Sequence, residues 1–257
     1  MKLHTSIFII FAAFATTTAY AQSDEQLYKK SQDAISIESF EMLSSLISYD
    51  ARGNERERKL STANRKFGKT NKTLMRFTAP ADVQGTSMLI HNHDEAESDM
   101  WIYMPAIRRV RRIAGGDKAS NFMGSEFKNS DMSAPNTREF NYKGVGIVKI
   151  NGKDCYTIEI VPKNAAVEDS YGFGKQISYI DKDTFLEQKV EYFDFNGKLN
   201  RTKTMSDYRK QSVGKFFAFT MEMKNEQNGR RSLMTIDAFQ VGSNMPESAF
   251  APAALEK

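Results

Sequence analysis

Three Asn-Gly pairs, at 151–152, 196–197 and 228–229, each separate stretches in which apolar and polar residues alternate. No other feature limits the fold of this chain as strongly. Asn and Gly tolerate positive φ, so the pair favours a tight type I′ hairpin turn. Further turns are expected at DARGN (50–54), IDKD (180–183) and SVGK (212–215).

The stretches between these turns have a period of two. Tyr156, Ile158 and Ile160 share a face opposite Thr157 and Glu159. Phe217, Phe219, Met221 and Met223 lie opposite Thr220, Glu222 and Lys224, and Met234, Ile236 and Ala238 lie opposite Thr235 and Asp237. One apolar and one polar face is the pattern of antiparallel strands wetted on one side. It recurs at 38–49, 55–67, 72–79, 86–91, 99–104, 107–113, 139–150, 154–162, 174–181, 185–195, 199–208, 216–225 and 230–240. Some of these stretches are expected to merge or fail, leaving about ten strands of a sandwich or barrel.

Two segments break the alternation. SDEQLYKKSQDAI (23–35) opens on a Ser cap and reads as a short helix. Residues 115–136 are rich in Gly, Ser and Asn yet carry Phe122, Met123, Phe127 and Met132. A long insertion with apolar residues is a short helix or a covering loop, and such loops often serve function.

The N-terminus reads as an export signal. Lys2 precedes the apolar run Ile7 to Ala15, and Ala19-Tyr20-Ala21 offers a small-residue cleavage site, so cleavage is expected after Ala21. No cysteine lies near the cut, so a lipid-anchored N-terminus is not expected, and no later run has the length of a membrane helix. One domain over 22–257 is expected. With Cys155 alone there is no internal disulfide, which a core of this size does not need. The 36 basic and 32 acidic residues are too nearly balanced to imply nucleic acid.

Candidate sites were weighed against plainer readings. Arg108, Arg109, Arg111 and Arg112 near Trp101 and Tyr103 could bind nucleic acid, but a charged strand face explains them better. His91 and His93, two apart, are weak metal candidates in what also reads as an acidic hairpin loop. Ser125 lacks the nucleophile elbow, and Cys155 sits mid-strand like a small packed hydrophobe, so no catalytic residue is assigned and no cofactor is expected. The 18 Phe and 13 Met leave two readings open, an adaptable wall for an apolar ligand or an ordinary packed core. An outer-membrane β-barrel, or an accessory transporter subunit with a filled core, remain as alternatives.

Residues 77–127 carry a more specific pattern. Pro80-Ala81-Asp82 precedes Gly85-Thr86; then come Trp101-Ile102-Tyr103 with Pro105, the two arginine pairs, and Phe122-Met123-Gly124-Ser125. With YTIEIVPK (156–163) and EYFDFNGKL (191–199), this resembles the outer-membrane lipoprotein-sorting protein family, LolA-like, over most of the chain. The resemblance implies a mainly β, half-open barrel, made of one curved antiparallel sheet with short helices or a loop as plug or lid. It further implies a periplasmic carrier of lipid or lipoprotein acyl chains, not an enzyme, touching membranes only transiently. Relatives often accompany resistance-nodulation-division transporters. Under that reading 23–35 and 115–136 form the lid. Met100, Ile102 and Met104, or else Trp101 and Tyr103, face the cavity with Phe217, Phe219, Met221 and Met223. The arginines of 108–112 would hold the lid through Asp117, Glu126 or Asp131, with Phe122, Met123 and Phe127, or meet an anionic headgroup.

Overall fold

A computed structural model describes residues 23–256. The expected signal segment, 1–21, lies outside the described residues. All thirteen alternating stretches form strands and none merges. They are β1 (Ser39–Tyr49), β2 (Glu55–Phe67), β3 (Thr70–Ala79), β4 (Ser87–His93), β5 (Asp99–Met104), β6 (Arg109–Ile113), β7 (Phe140–Ile150), β8 (Lys153–Pro162), β9 (Lys175–Asp181), β10 (Glu187–Phe193), β11 (Leu199–Lys210), β12 (Phe216–Asn225) and β13 (Arg231–Val241). Helix α1 (Asp24–Ile35) precedes them, and α2 (Ala165–Tyr171) follows β8.

The strands make one curved, unclosed antiparallel sheet in the order β6-β5-β4-β3-β2-β1-β13-β12-β11-β10-β9-β8-β7. Its first and last strands pair at the centre, with Met42 opposite Phe239. The two free edges, β6 and β7, are consecutive in sequence. Both edges carry repeated positive charge: Arg109, Arg111 and Arg112 on β6, Lys143 and Lys149 on β7. Like charges brought together would oppose ladder pairing, which disfavours closure of the barrel.

Only one Asn-Gly pair makes the expected turn. Asn151 and Gly152 both have positive φ, 50° and 82°. At 196–197 only Gly197 is left-handed, and its N–H donates to Asp194 O within a longer loop closed by Asp194 N to Lys198 O. The loop at 228–229 likewise spans Asn225 to Arg230. In both, a side chain takes over the turn: Asp194 Oδ1 accepts from the N–H of Asn196 and Lys198, and Asn225 Oδ1 from Gln227 and Asn228. Such Asx contacts compete with the two-residue turn.

The sheet has two apolar layers. On the inner face Met75, Met88, Ile90 and Met100 join Leu46, Leu60, Ile158, Ile160, Met223 and Met234 in the main core. On the outer face of β2 to β5, Leu74 and Leu89 pack with Phe250 and Leu255 of the C-terminal segment. Residues 243–256, built around two short 3-10 turns, thus form a strap across the outside. The one-sided sheet expected from alternation is therefore two-sided here, because the strap supplies a second dry layer.

Candidate functional site: a lidded apolar trough

The chain crosses from edge β6 to edge β7 over the inner face, and this crossing is the lid. It is a loop of short 3-10 turns, not an α-helix. Phe122 and Phe127 point into the core and are almost fully buried, and the Phe122 ring lies 5.7 Å from Phe77. Each such burial contributes ~1.5–3 kcal/mol. The tip is pinned on itself, since Phe122 N–H donates to Phe127 O (2.8 Å) and Ser125 Oγ to Phe122 O (2.7 Å). Met123 and Gly124 turn it through φ of 48° and 73°. A left-handed non-glycine residue is uncommon and marks a tightly determined tip.

The lid is latched by charge. Arg201 of β11 is 1% exposed and reaches inward. Its Nη1 donates to Asp131 Oδ2 (2.7 Å) and Glu126 O (3.2 Å), and the guanidinium lies 4.6 Å from the Tyr192 ring centre. The Glu126 carboxylate accepts from Asn225 Nδ2 (2.9 Å) and pairs with Arg230 Nε (3.0 Å). Nearby, Lys203 shares the inner face. Burial opposes its charge, but Tyr192, Glu187 and Asp131 outweigh that and hold the ammonium above the usual lysine range.

Helix α1 plugs the other half of the trough. Its Ser23 cap accepts from Gln26 N–H and Gln26 returns the bond, a reciprocal capping box. Leu27 and Tyr28 are buried, with Tyr28 5.3 Å from Tyr142 of β7. Burial and Glu187 push the Tyr28 hydroxyl well above the ordinary tyrosine pKa. The helix start docks closely at Gly144, where a Cβ would stand 2.6 Å from Asp24 Oδ1 and turn that carboxylate aside.

The register decides which face of β5 looks inward. Met100, Ile102 and Met104 share the inner face with Ile90 and Met88, while Trp101 and Tyr103 lie outside against Leu89 and Val110 under the strap. Met221 and Met223 join Met205 and Met234 in the main core. Phe217 and Phe219 instead form an aromatic group with Phe40 and Phe239, with Phe217 and Phe239 centred 4.6 Å apart. Arg209 covers Phe219 at 3.9 Å.

Of the arginines of 108–112, only Arg111 among the described residues reaches one of the expected lid partners, Asp117. All four are exposed; Arg112 pairs with Asp99, and Arg111 lies 3.8 Å from Asp117 at the lid's start. Glu126 and Asp131 are taken by Arg230 and Arg201. Strand β6 lies at the sheet edge beside solvent, whereas Arg201 of β11 is buried under the lid and Arg230 reaches Glu126 from the loop before β13. Met123 is only partly buried beside Phe122 and Phe127.

The two histidines serve the outer face. His91 Nε2 meets Phe250 O at 2.8 Å, and burial holds its pKa below the usual value. His93 lies between Thr70 Oγ1 (3.0 Å) and Asp99 Oδ2 (3.2 Å). Among the described residues no group of three or more His, Cys, Asp or Glu is set to hold a metal ion. Cys155 is free and buried.

A hollow of about 470 Å³ lies on the outer face, not under the lid. Its lining includes Leu43, Ala63, Leu74, Ala238 and Met245, with Glu41 and Arg76. The inner trough itself is filled by Phe122, Phe127, Leu27 and Tyr28.

A half-open antiparallel barrel whose apolar trough is stoppered by its own helix and loop defines the structural class. A family model described as "Uncharacterized protein" matches residues 69–257. No curated protein matches the chain. Among solved structures, it is similar to a domain from Vibrio parahaemolyticus provisionally named as outer membrane lipoprotein-sorting, with TM-score 0.84 and 27% identity over 91% of this chain and 98% of that one. A DUF1329 family protein from Desulfovibrio piger ATCC 29098 gives TM-score 0.83 and 25% identity over 90% and 97%. A LolA superfamily protein from Nitrosomonas europaea gives TM-score 0.71 over 90% and 98% at 17% identity, a likeness of fold. The chain belongs to the family that the matching model describes, and it shares the fold of the LolA superfamily protein.

Proposed function

We propose that this protein is a periplasmic carrier that shelters a hydrophobic cargo, lipid or lipoprotein acyl chains, in the trough beneath its lid. One observation carries the reading. The lid's almost fully buried rings, Phe122 and Phe127, sit on a floor of methionine and aliphatic side chains, with Arg201 and Asn225 of the sheet below meeting its acidic groups. Acyl chains could replace the two rings on that floor with little loss, since each buried CH₂ contributes about 0.8 kcal/mol. Methionine adapts its shape to such an exchange. Binding and release need no nucleophile, so the reading is of a transfer protein and not of an enzyme. An inner-membrane transporter of the resistance-nodulation-division type is the partner proposed for loading or unloading.

An outer-membrane barrel fits less well. Spanning strands must close, because an open edge leaves backbone groups unpaired in lipid, and this sheet has two edges. Among the described residues no helix is long and apolar enough to cross a membrane.

Native mass spectrometry of the protein taken from periplasm, with organic extraction, tests the carrier reading. A co-purifying lipid or acylated peptide is expected. A bare mass that also ignores added fatty acids, phospholipids and lipopeptides would overturn it in favour of an interaction module with a packed core.

A further inference from the structure

A second arginine is buried beneath the same lid, and the lid does not serve it. Arg58 of β2 lies on the inner face opposite Leu46 and is 6% exposed. Its Nε and Nη1 are buried with no hydrogen-bond partner. Among the described residues no carboxylate pairs with it. Burial first, and the neighbouring Arg56 second, work against its charge and outweigh the more distant Asp82, which favours it. An unpaired buried cation is costly.

What lies above Arg58 is the lid's tip. Gly124 is exposed, left-handed, and has no side chain; a Cβ there would stand 3.9 Å from Arg58 Nη2. Only backbone therefore separates the guanidinium from solvent at this notch. Two further arginines, each already paired with a carboxylate, stand on the rim. Arg230 donates to Gly124 O (3.4 Å), and Arg56 pairs with Asp82 at the half-exposed start of β2.

We propose that Arg58 is the recognition point for an anionic oxygen group, phosphate or carboxylate, carried by the headgroup of the cargo. The headgroup would enter at the Gly124 notch while the chains displace Phe122 and Phe127. The proposal rests on the carrier reading and adds the charge class of the cargo. A guanidinium suits the role because its planar fork meets an oxyanion through two parallel N–H bonds, which a lysine cannot do.

The test compares dioleoyl phosphatidate with dioleoylglycerol, which differ only in the phosphate, and inorganic phosphate alone, against wild type and Arg58→Met. Affinities are read by titration calorimetry in a neutral detergent, with melting temperature alongside. Wild type should prefer phosphatidate by at least about tenfold, the span of a charge-assisted hydrogen bond. Arg58→Met should bind both lipids equally and melt no lower than wild type, since it removes an unpaired charge. Arg58→Lys should restore only part of the preference. Should Arg58→Met not fold, Gly124→Asn makes the same test: Asn tolerates positive φ and covers the guanidinium, so the preference should fall.

A lower melting temperature with the preference intact would make Arg58 a purely structural residue and overturn the proposal. So would equal affinity of wild type for both lipids, which leaves the carrier reading standing. Phosphate binding lost in Arg58→Met, without a preference between the lipids, would assign the site to a free anion and overturn the headgroup. Failure of wild type to bind either lipid would overturn the carrier reading, and the headgroup proposal with it.

Discussion

The lid and the strap cover opposite faces of the sheet with different balances of apolar packing and buried charge. The strap closes the outer face of β2 to β5 with Phe250 and Leu255 against Leu74, Leu89 and Trp101, and its polar anchors, His91 to Phe250 O, Arg65 to Met245 O and the Lys72–Glu247 pair, sit around that apolar layer. The lid closes the inner face with two rings and a set of ion pairs, Arg201 with Asp131 and Arg230 with Glu126. Apolar packing is non-directional and is lost only by unfolding the layer. A charge latch has discrete partners and can be exchanged for others. On the proposed carrier function, the strap is the layer that stays and the lid the one to be released.

The comparison breaks first at Phe250. Replacing this fully buried ring with alanine should cost about 3–5 kcal/mol of global stability in urea unfolding. A loss below about 1 kcal/mol would make the strap an accessory, since surface changes rarely exceed that. Next comes the latch. Arg201→Met strands Asp131, and local opening of 120–135 should become easier by about 3 kcal/mol, seen as faster hydrogen exchange there with smaller change in β8 and β9. The double variant with Asp131→Asn should recover most of that protection; equal exchange in all three proteins would remove the latch.

Smaller effects sharpen the picture. Ser23→Ala deletes the cap of α1 and should cost about 1 kcal/mol, read as lost protection of α1 with the lid unchanged. Acid should weaken the strap. His91 has a depressed pKa in the fold, so its contribution is present above the unfolded value of about 6.5 and is lost as pH falls through the folded one. Melting temperature should decline between pH 7 and 5, and His91→Gln should flatten that slope. An identical slope in the variant would assign the acid response to other groups.

Most of the sheet was legible because strand alternation is a local property: each of the thirteen segments declares its own period. What lay beyond was decided by neighbours. Alternation put Met100 and Trp101 on opposite sides of β5 but could not say which side was inner, because the strap makes both apolar. Helix α2 was missed since seven residues hold too few turns to show a period, although Asn164 caps it on Val167 N–H and Gly172 ends it at φ 73°. The arginine pairs at 108–112 drew attention through their density, yet the arginines buried beneath the lid are Arg58 and Arg201. Arg58 runs in phase with Leu60, and Arg201 with Met205, so each is a charge out of place on an apolar face. That signal was present in the sequence; two charged stretches, ERERK and NRTKT, concealed it.

The pairing of β1 with β13 has a kinetic consequence. Each flank, β1 to β6 and β7 to β13, is a meander of neighbouring hairpins with short loops to close. Joining them requires residues near the two ends of the chain to meet, and that long loop carries the largest chain-entropy cost. The flanks can form early and separately, and the central seam should zip late. A chain that assembles in this order holds two preformed wings on one spine, and the last tie laid between their tips is the lid.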